Sequence, residues 1–429
     1  MVYYIVLAVF LLLAIMGEYL FVVVGGITIV SLYLVTKIGF PVIFGDFYKL
    51  GIAPILLAMP YFIFAGFILA ASNFPRRLIN FTDAVLGWLP GGFVMVVVIS
   101  YTIFTPLSGA SSITVVALGG ILYEALLEKG YDEKFSLGLV TASGILGMIL
   151  PPSLPVIFYG MTTQTNVESV YIAGLIPTFI MVVFFIIYAI WKTSRSQQTT
   201  KFSLRNLMTT TYDIIWEFPS IAIITVGGIY SGLLTASEAA VVLAFYVFIV
   251  EVFIKRDIKL NVLIKTIRES MIMLGALIMI LGMALALTDF IVYMEIPMRL
   301  FAYLETHIVS KYLFLIIINV FLLVIAGTMD VFSAIIVVMP IIVPVALSFG
   351  LNPIHVAVMF LVNLSIGYIT PPMGIDIFLA QLRFERPYVE VLASIVPFFI
   401  ISLIVLAIVS YVPHISTYLL QFFHAKVAI

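Results

Sequence analysis

In a chain that is 64% hydrophobic and 10% charged, the side chains able to do chemistry are oxygen donors rather than nucleophiles. Ser108, Ser111, Ser112, Ser143 and Ser153 supply hydroxyls in the first half; Thr328, Asp330, Ser333, Asn363, Ser365 and Thr370 supply polar oxygens in the second. Many of them gather around two proline pairs. The run TASGILGMILPPSLP (141–155) leads small and hydroxyl residues into Pro151 and Pro152, and NLSIGYITPPMG (363–374) leads into Pro371 and Pro372. Each proline lacks an amide proton and disfavours helix in the residue before it, so a spanning helix should open at both places. An opened helix in lipid strands carbonyls at a cost of several kcal/mol each unless they line a protected cavity. Hard cations want oxygen ligands, and unwound carbonyls with half-helix ends are a common way to hold Na⁺ at mid-membrane while positive helix ends face an anion. The expected chemistry is therefore the binding of a cation and an anion, not bond making.

The two proline pairs stand 220 positions apart, and Gly130 with Gly350, Gly147 with Gly367, and Ile157–Phe158 with Ile377–Phe378 share that offset. Internal duplication explains why breakers and apolar residues repeat together. Any one hydroxyl would be expected to bond back to its own turn, but a duplicated cluster of them calls for a shared role. Asp330 and Asp376 each either attract a cation or cap a helix, and capping is the preferred reading for both. Glu238, after Thr235-Ala236-Ser237, has the spacing of a helix N-terminus.

Several chemistries are excluded. There is no cysteine, the four histidines have no metal-ligand spacing, and neither a hydrolase elbow nor GxxxxGK[ST] occurs. An intramembrane enzyme would need a nucleophile with a general base, or paired acids with a metal, at mid-membrane; the chain is not expected to be one. A net charge of −1 gives no reason to expect a nucleic-acid partner. With no ATPase module, transport has to draw on an ion gradient or a partner.

The elements that position these residues are membrane spans. A soluble chain carries about 25% charged residues, whereas this one has a mean hydropathy of +1.27 and repeated apolar runs of spanning length. We expect an all-α polytopic membrane protein with roughly eleven or twelve crossings. The N-terminal run from Met1 is read as a retained first span. Residues 1–205 form a first repeat with a broken helix at about 135–165 and, at about 106–127, a stretch just long enough to cross once whose small, hydroxyl-rich first half suits a re-entrant hairpin. Residues 206–429 form a second, with a hairpin at 327–349 and a broken helix at 355–381. Arg76 and Arg77 with Asn80–Val85 read as an amphipathic surface segment. The basic stretches 192–205 and 255–268 belong in the cytoplasm. Counting crossings alone leaves open whether the repeats are parallel or inverted.

The stretch from Ser108 to Gly160, together with GGIYSGLLTASEAAVV (227–242), AMPYFIFAGFIL (58–69) and the run from Ala326 to Ala380, resembles the large membrane subunit of tripartite ATP-independent periplasmic (TRAP) transporters. The likeness covers essentially the whole chain. Gly17-Glu18-Tyr19 departs from the Gly-Val-Pro frequent in that family, and Thr105-Pro106-Leu107 departs ahead of the first hairpin. The resemblance implies an inverted repeat and a scaffold carrying an elevator-type transport domain, in the cell inner membrane. It implies Na⁺-coupled uptake of an organic acid, such as a dicarboxylate or sialic acid. Two or more Na⁺ ions would be involved, with a periplasmic substrate-binding protein and a small membrane subunit as partners. Carried onto matching positions, the cation ligands are Ser108, Ser143, Gly147, Pro151, Thr328, Asn363, Gly367 and Thr370. Ser111, Ser112, Ser153 and Met373 lie on the substrate side. A stand-alone sodium–carboxylate symporter is the alternative.

Overall fold

Continuous apolar runs interrupted by glycine and proline fold here as helices of unequal length. The computed structural model describes residues 20–31, 33, 41–52, 56, 58–193, 202–307, 310–371 and 374–423, and every regular element among them is helical. The principal helices of the first half are α1 (Leu20–Ser31), α2 (Ala58–Ala71), α3 (Phe74–Leu86), α4 (Gly92–Ser108), α5 (Ser111–Glu128), α6 (Glu133–Ala142), α7 (Leu154–Thr163) and α8 (Val167–Thr193). Those of the second are α9 (Phe218–Ala222), α10 (Ala236–Phe248), α11 (Leu260–Tyr293), α12 (Ile296–His307), α13 (Lys311–Ala326), α14 (Val331–Ser348), α15 (Pro353–Gly367), α16 (Ile375–Phe384) and α17 (Tyr388–Tyr411). Among the described residues six helices are long and apolar enough to cross a membrane, or up to seven if the bent pair α2–α3 is one span. That is fewer than the eleven or twelve expected, because helices such as α4, α7, α13 and α15 are apolar but only 10–17 residues long. The expected first span at 3–16, the Gly17-Glu18 departure, most of the basic stretch 192–205, Pro372 and Met373 lie outside the described residues.

Each expected hairpin segment is mostly a single helix. Within 106–127 the end of α4 gives way at Gly109 to α5, and within 327–349 one helix, α14, runs from Val331, so the turns fall between α4 and α5 and between α13 and α14. Pro106 sits in the last turn of α4, where a missing amide costs only the bond to the Thr102 carbonyl. The chain turns three residues later, at Gly109, whose φ of +76° suits a glycine ending a helix and whose amide bonds the Thr105 carbonyl at 3.1 Å. In the second half Gly327–Met329 makes the turn, and Asp330 caps α14 by accepting from the Ser333 amide at 3.1 Å.

The packing repeats at the 220-residue offset. Helix α5 packs on α16, and its counterpart α14 packs on α7; α6 packs on α17, and α15 on α8; α10 packs on α2, and α11 on α1. Each contact joins one half to the other. Aromatic pairs fill two of these seams, Tyr123 with Phe384 at 4.7 Å between centroids and Phe158 with Phe332 at 5.0 Å. Gly138 lets α6 approach the α17 backbone, since a Cβ there would collide with the Ser394 carbonyl.

The amphipathic segment after α2 is helical and bends away from it by 73°. Its Arg77 ties α3 to the second half through Glu217 at 2.7 Å, Glu251 at 3.1 Å and Asp257 at 2.7 Å. Burial lifts the Glu217 carboxyl above its ordinary range despite Arg77 and Lys255. For Asp257 burial works the same way but is outweighed by bonds from Arg77 and the Asn73 amide, which hold it below that range. Glu238 and Thr235 form a reciprocal capping box at the start of α10, as the spacing predicts.

Candidate functional site

The two interrupted helices are built alike. After α6 the chain makes a 3₁₀ turn over Ser143–Ile145, then Gly147 takes a φ of +83° before Pro151 and Pro152 lead into α7. Short backbone bonds carry the interruption: Leu146 to the Ser143 carbonyl at 3.0 Å, Leu150 to Gly147 at 2.9 Å and Ser153 to Leu150 at 2.9 Å. After α15 the same pattern recurs, with Tyr368 bonding Ser365 at 3.2 Å, Ile369 bonding Ile366 at 3.0 Å and Thr370 bonding Gly367 at 3.0 Å. Each accepting carbonyl keeps a second lone pair. Gly147 has to be glycine twice over: its φ is left-handed, and a Cβ would lie 2.5 Å from the Thr102 carbonyl and 2.9 Å from Pro106 Cδ.

The first interruption adjoins the helix that leads into the second. A small cavity of about 10 Å³, near the size of a single water, is lined by Gly147, Met148 and Ile149 from the first and by Val362 and Ser365 from α15.

The first hairpin tip completes the site. Ser111 and Ser112 open α5, and both donate to Asp376 in the first turn of α16, Ser112 at 3.3 Å. A Cβ on Gly144 would fall 2.5 Å from Ser111 Oγ and 2.8 Å from Asp376 Oδ2. The first interruption therefore presses its backbone against both side chains. Asp376 is fully buried, and among the described residues no basic side chain pairs with it. Buried carboxylates need pairing, protonation or a bound cation. The capping reading holds for Asp330 and fails for Asp376, because Gly374 occupies the N-cap of α16 and Asp376 bonds across to α5 instead.

The other expected ligands divide into two groups. Ser143 Oγ and Asn363 Oδ1 are buried and have no hydrogen-bond partner, so their oxygens remain open to a ligand. Asn363 is held by its other end, its amide donating to Asn319 Oδ1 at 2.9 Å and to the Asn319 carbonyl at 3.0 Å. The rest are spoken for within their own turns. Ser108 bonds Thr105 and Ala110 carbonyls at 3.0 Å and Thr114 at 2.8 Å, closing the hairpin tip. Ser153 bonds the Met148 carbonyl. Thr370 bonds Ile366 and Thr328 bonds Ile325, each at 2.8 Å. Pro151 lines an apolar cavity, and Gly367 packs against Ala326.

Sequence reasoning missed two contributors. Asn319, alone in the apolar run of α13, carried the signal of a polar residue placed where lipid-facing positions cannot tolerate it. Thr105, whose hydroxyl donates to the Gly144 carbonyl at 3.2 Å, carried none.

The model of the tripartite ATP-independent periplasmic transporter, DctM component, matches residues 4–415. The C4-dicarboxylate TRAP transporter large permease protein DctM of Pseudomonas aeruginosa is 31% identical over 363 residues, covering 84% of this chain and 85% of the relative. The isethionate TRAP transporter permease protein DctMQ of Oleidesulfovibrio alaskensis is 31% identical over 367 residues, covering 85% of this chain and 58% of that longer relative. In fold, the chain is similar to the crystal structure of the Alcanivorax borkumensis YdaH transporter, with a TM-score of 0.60 at 14% identity and 87% of each chain covered.

Proposed function

Since the chain belongs to the DctM component family of tripartite ATP-independent periplasmic transporters, we propose that it is the large permease subunit of a Na⁺-coupled importer of an organic anion. The family is a transporter permease, not an enzyme. In this reading the chain lies in the inner membrane as two inverted repeats, and the hairpins with the interrupted helices move as an elevator against the remaining helices. The recurrence of helix contacts at one offset supports the two-repeat reading. A periplasmic binding protein delivers the anion, a carboxylate such as a dicarboxylate or sialic acid, and a small membrane subunit braces the scaffold.

The observation that carries the coupling is Asp376: buried, held by Ser111 and Ser112, and without a basic partner among the described residues. A sodium ion would compensate that charge with hard oxygen ligands. Asp376, Ser143 and Asn363 are the leading ligands, and the carbonyls of Gly147, Pro151 and Gly367 come next. Ser108, Thr328 and Thr370 can contribute only a lone pair left over from their own bonds. With two or more ions bound, their charge and the dipole of α16 would hold the anion. The substrate-side residues Ser111, Ser112 and Ser153 stand at hairpin and half-helix starts, where such an anion would approach.

The test is uptake into proteoliposomes of radiolabelled C4-dicarboxylate and sialic acid, each with its cognate binding protein. Uptake of one of them that requires Na⁺, the binding protein and the small subunit together is expected. Uptake that persists without the binding protein would favour a stand-alone sodium–carboxylate symporter, and uptake of both that ignores Na⁺ would overturn the coupling.

A further inference from the structure

Beside the first interruption lies a second, larger cavity of about 220 Å³ that the transport reading does not use. Its walls come from both halves: Pro106 and Leu107 of α4, Pro151 of the interruption, Leu175 of α8, and Ile221 and Thr225 of the helix that begins at α9. That helix winds as a π-helix over Ile223–Gly227, a local irregularity that recurs at functional sites.

The lining offers water nothing to hold. It contains two hydroxyls, and both turn back to their own helices, Thr102 to the Val98 carbonyl and Thr225 to the Ile221 carbonyl, each at 2.8 Å. The Thr102 carbonyl, which Pro106 leaves without its helical donor, is packed against Gly147 instead. A buried water needs about three polar partners, and an apolar cavity of about 150 Å³ stays dry yet accepts benzene. The outer face of the same wall is exposed and apolar: Ile223 is 68% exposed and Val226, which also lines the cavity, 39%. With the chain in a bilayer, as the proposed function has it, the medium that reaches this opening is hydrocarbon.

We propose that this cavity is a binding site for a lipid acyl chain from the surrounding bilayer, wedged between the first hairpin with its interrupted helix and the π-helical wall of the second half. The chain fills space that would otherwise forfeit dispersion contacts on every side. Because it touches both halves at once, its occupancy bears on how far α4 and Pro151 can shift against Ile221 and Thr225.

The test uses the full chain, with its small subunit, in bilayers doped with a phosphatidylcholine whose acyl chain carries a diazirine. After illumination, adducts are mapped by mass spectrometry. Adducts are expected on 102–107, 150–151 and 218–226. Ala222→Phe, which fills the cavity from its wall, should lower them at least tenfold while adducts on lipid-exposed Phe179 and Ile187 of α8 persist. Val226→Phe, at the opening, gives the same comparison should the first variant fail to fold. Absence of adducts on these walls in the wild type, equal labelling in the filled variants, or cross-links from these walls to the small subunit in place of lipid would each overturn the proposal.

Discussion

Ser111 donates its hydroxyl proton to a carboxylate oxygen of Asp376, a residue 265 positions further along the chain. This bond joins the tip of the first hairpin to the second interrupted helix. Gly144 of the first interruption is wedged against both partners. Three segments that must move together if they form one transport unit thus share a single buried charge.

Asp376→Asn keeps the size of the side chain and can still bond Ser111 and Ser112, but it removes the charge. Hydrogen bonds and ligation to a charged group are worth about 1.5–3 kcal/mol. The Na⁺ concentration for half-maximal uptake should therefore rise about ten- to a hundredfold, with folded yield close to wild type. An unchanged sodium requirement would remove Asp376 from the site.

Ser143→Ala deletes a buried hydroxyl that no protein group uses, so folding should be unaffected or slightly improved while sodium dependence weakens. Asn363→Ala behaves differently. It also strands Asn319, whose own amide bonds Ser410 at 3.0 Å, and an unsatisfied buried group costs about 1–3 kcal/mol. Thermal melting of the two variants should separate them, with only the asparagine variant destabilised.

Gly144→Ala should abolish uptake without removing any ligand. The added methyl would sit 2.5 Å from Ser111 Oγ, 2.8 Å from Asp376 Oδ2 and 2.8 Å from Val115 Cγ2, forcing the hairpin tip away from α16. Gly130→Ala, at a glycine ahead of α6 with a φ of +79° where an added Cβ meets nothing within 4 Å, should cost only backbone strain and retain uptake. Equal activity in both variants would show that the close approach at Gly144 is unimportant.

Arg77→Met should destabilise the protein by about 3–5 kcal/mol, the usual cost of leaving buried charges unpaired. Glu217 and Glu251 are 1% and 0% exposed and would lose their partner. The sign of the pH effect follows from Glu217. Its carboxyl lies above its ordinary range when folded, so the folded state takes up a proton first, and the associated stability is present in acid and lost as pH rises. Asp257 lies below its range, and its contribution runs the other way, being lost as pH falls through the folded value. Removing Arg77 abolishes the Asp257 contribution and enlarges the Glu217 one. The melting deficit of the variant relative to wild type should narrow between pH 8 and pH 5.5, and a deficit that widens in acid would contradict this assignment.

Much of this was legible in the sequence because glycine and proline act locally. Pro151 and Gly147 announce an opened helix wherever they stand, and the 220-residue offset made the second copy visible. The small, hydroxyl-rich stretch after Pro106 did not show where the turn falls, because Pro106 is tolerated in a last helical turn and the left-handed Gly109 decides where α4 ends. The role of Asp376 could not be read locally. A carboxylate in the first turn of a helix looks like a cap until the residue it faces is known, and that residue, Ser111, is distant in the chain. Conversely Ser108 and Thr370 look like ligands in sequence but bond their own turns in space.

The central claim is that this oxygen-lined site binds sodium. It is tested most directly by thermal melting of the purified protein in sodium chloride and in choline chloride at equal ionic strength. A ligand at a hundred times its dissociation constant stabilises the folded state by about 2.7 kcal/mol. A higher melting temperature in sodium is expected for the wild type, and it should be lost in both Asp376→Asn and Ser143→Ala. Identical melting in the two salts, or a sodium effect that survives intact in both variants, would contradict it.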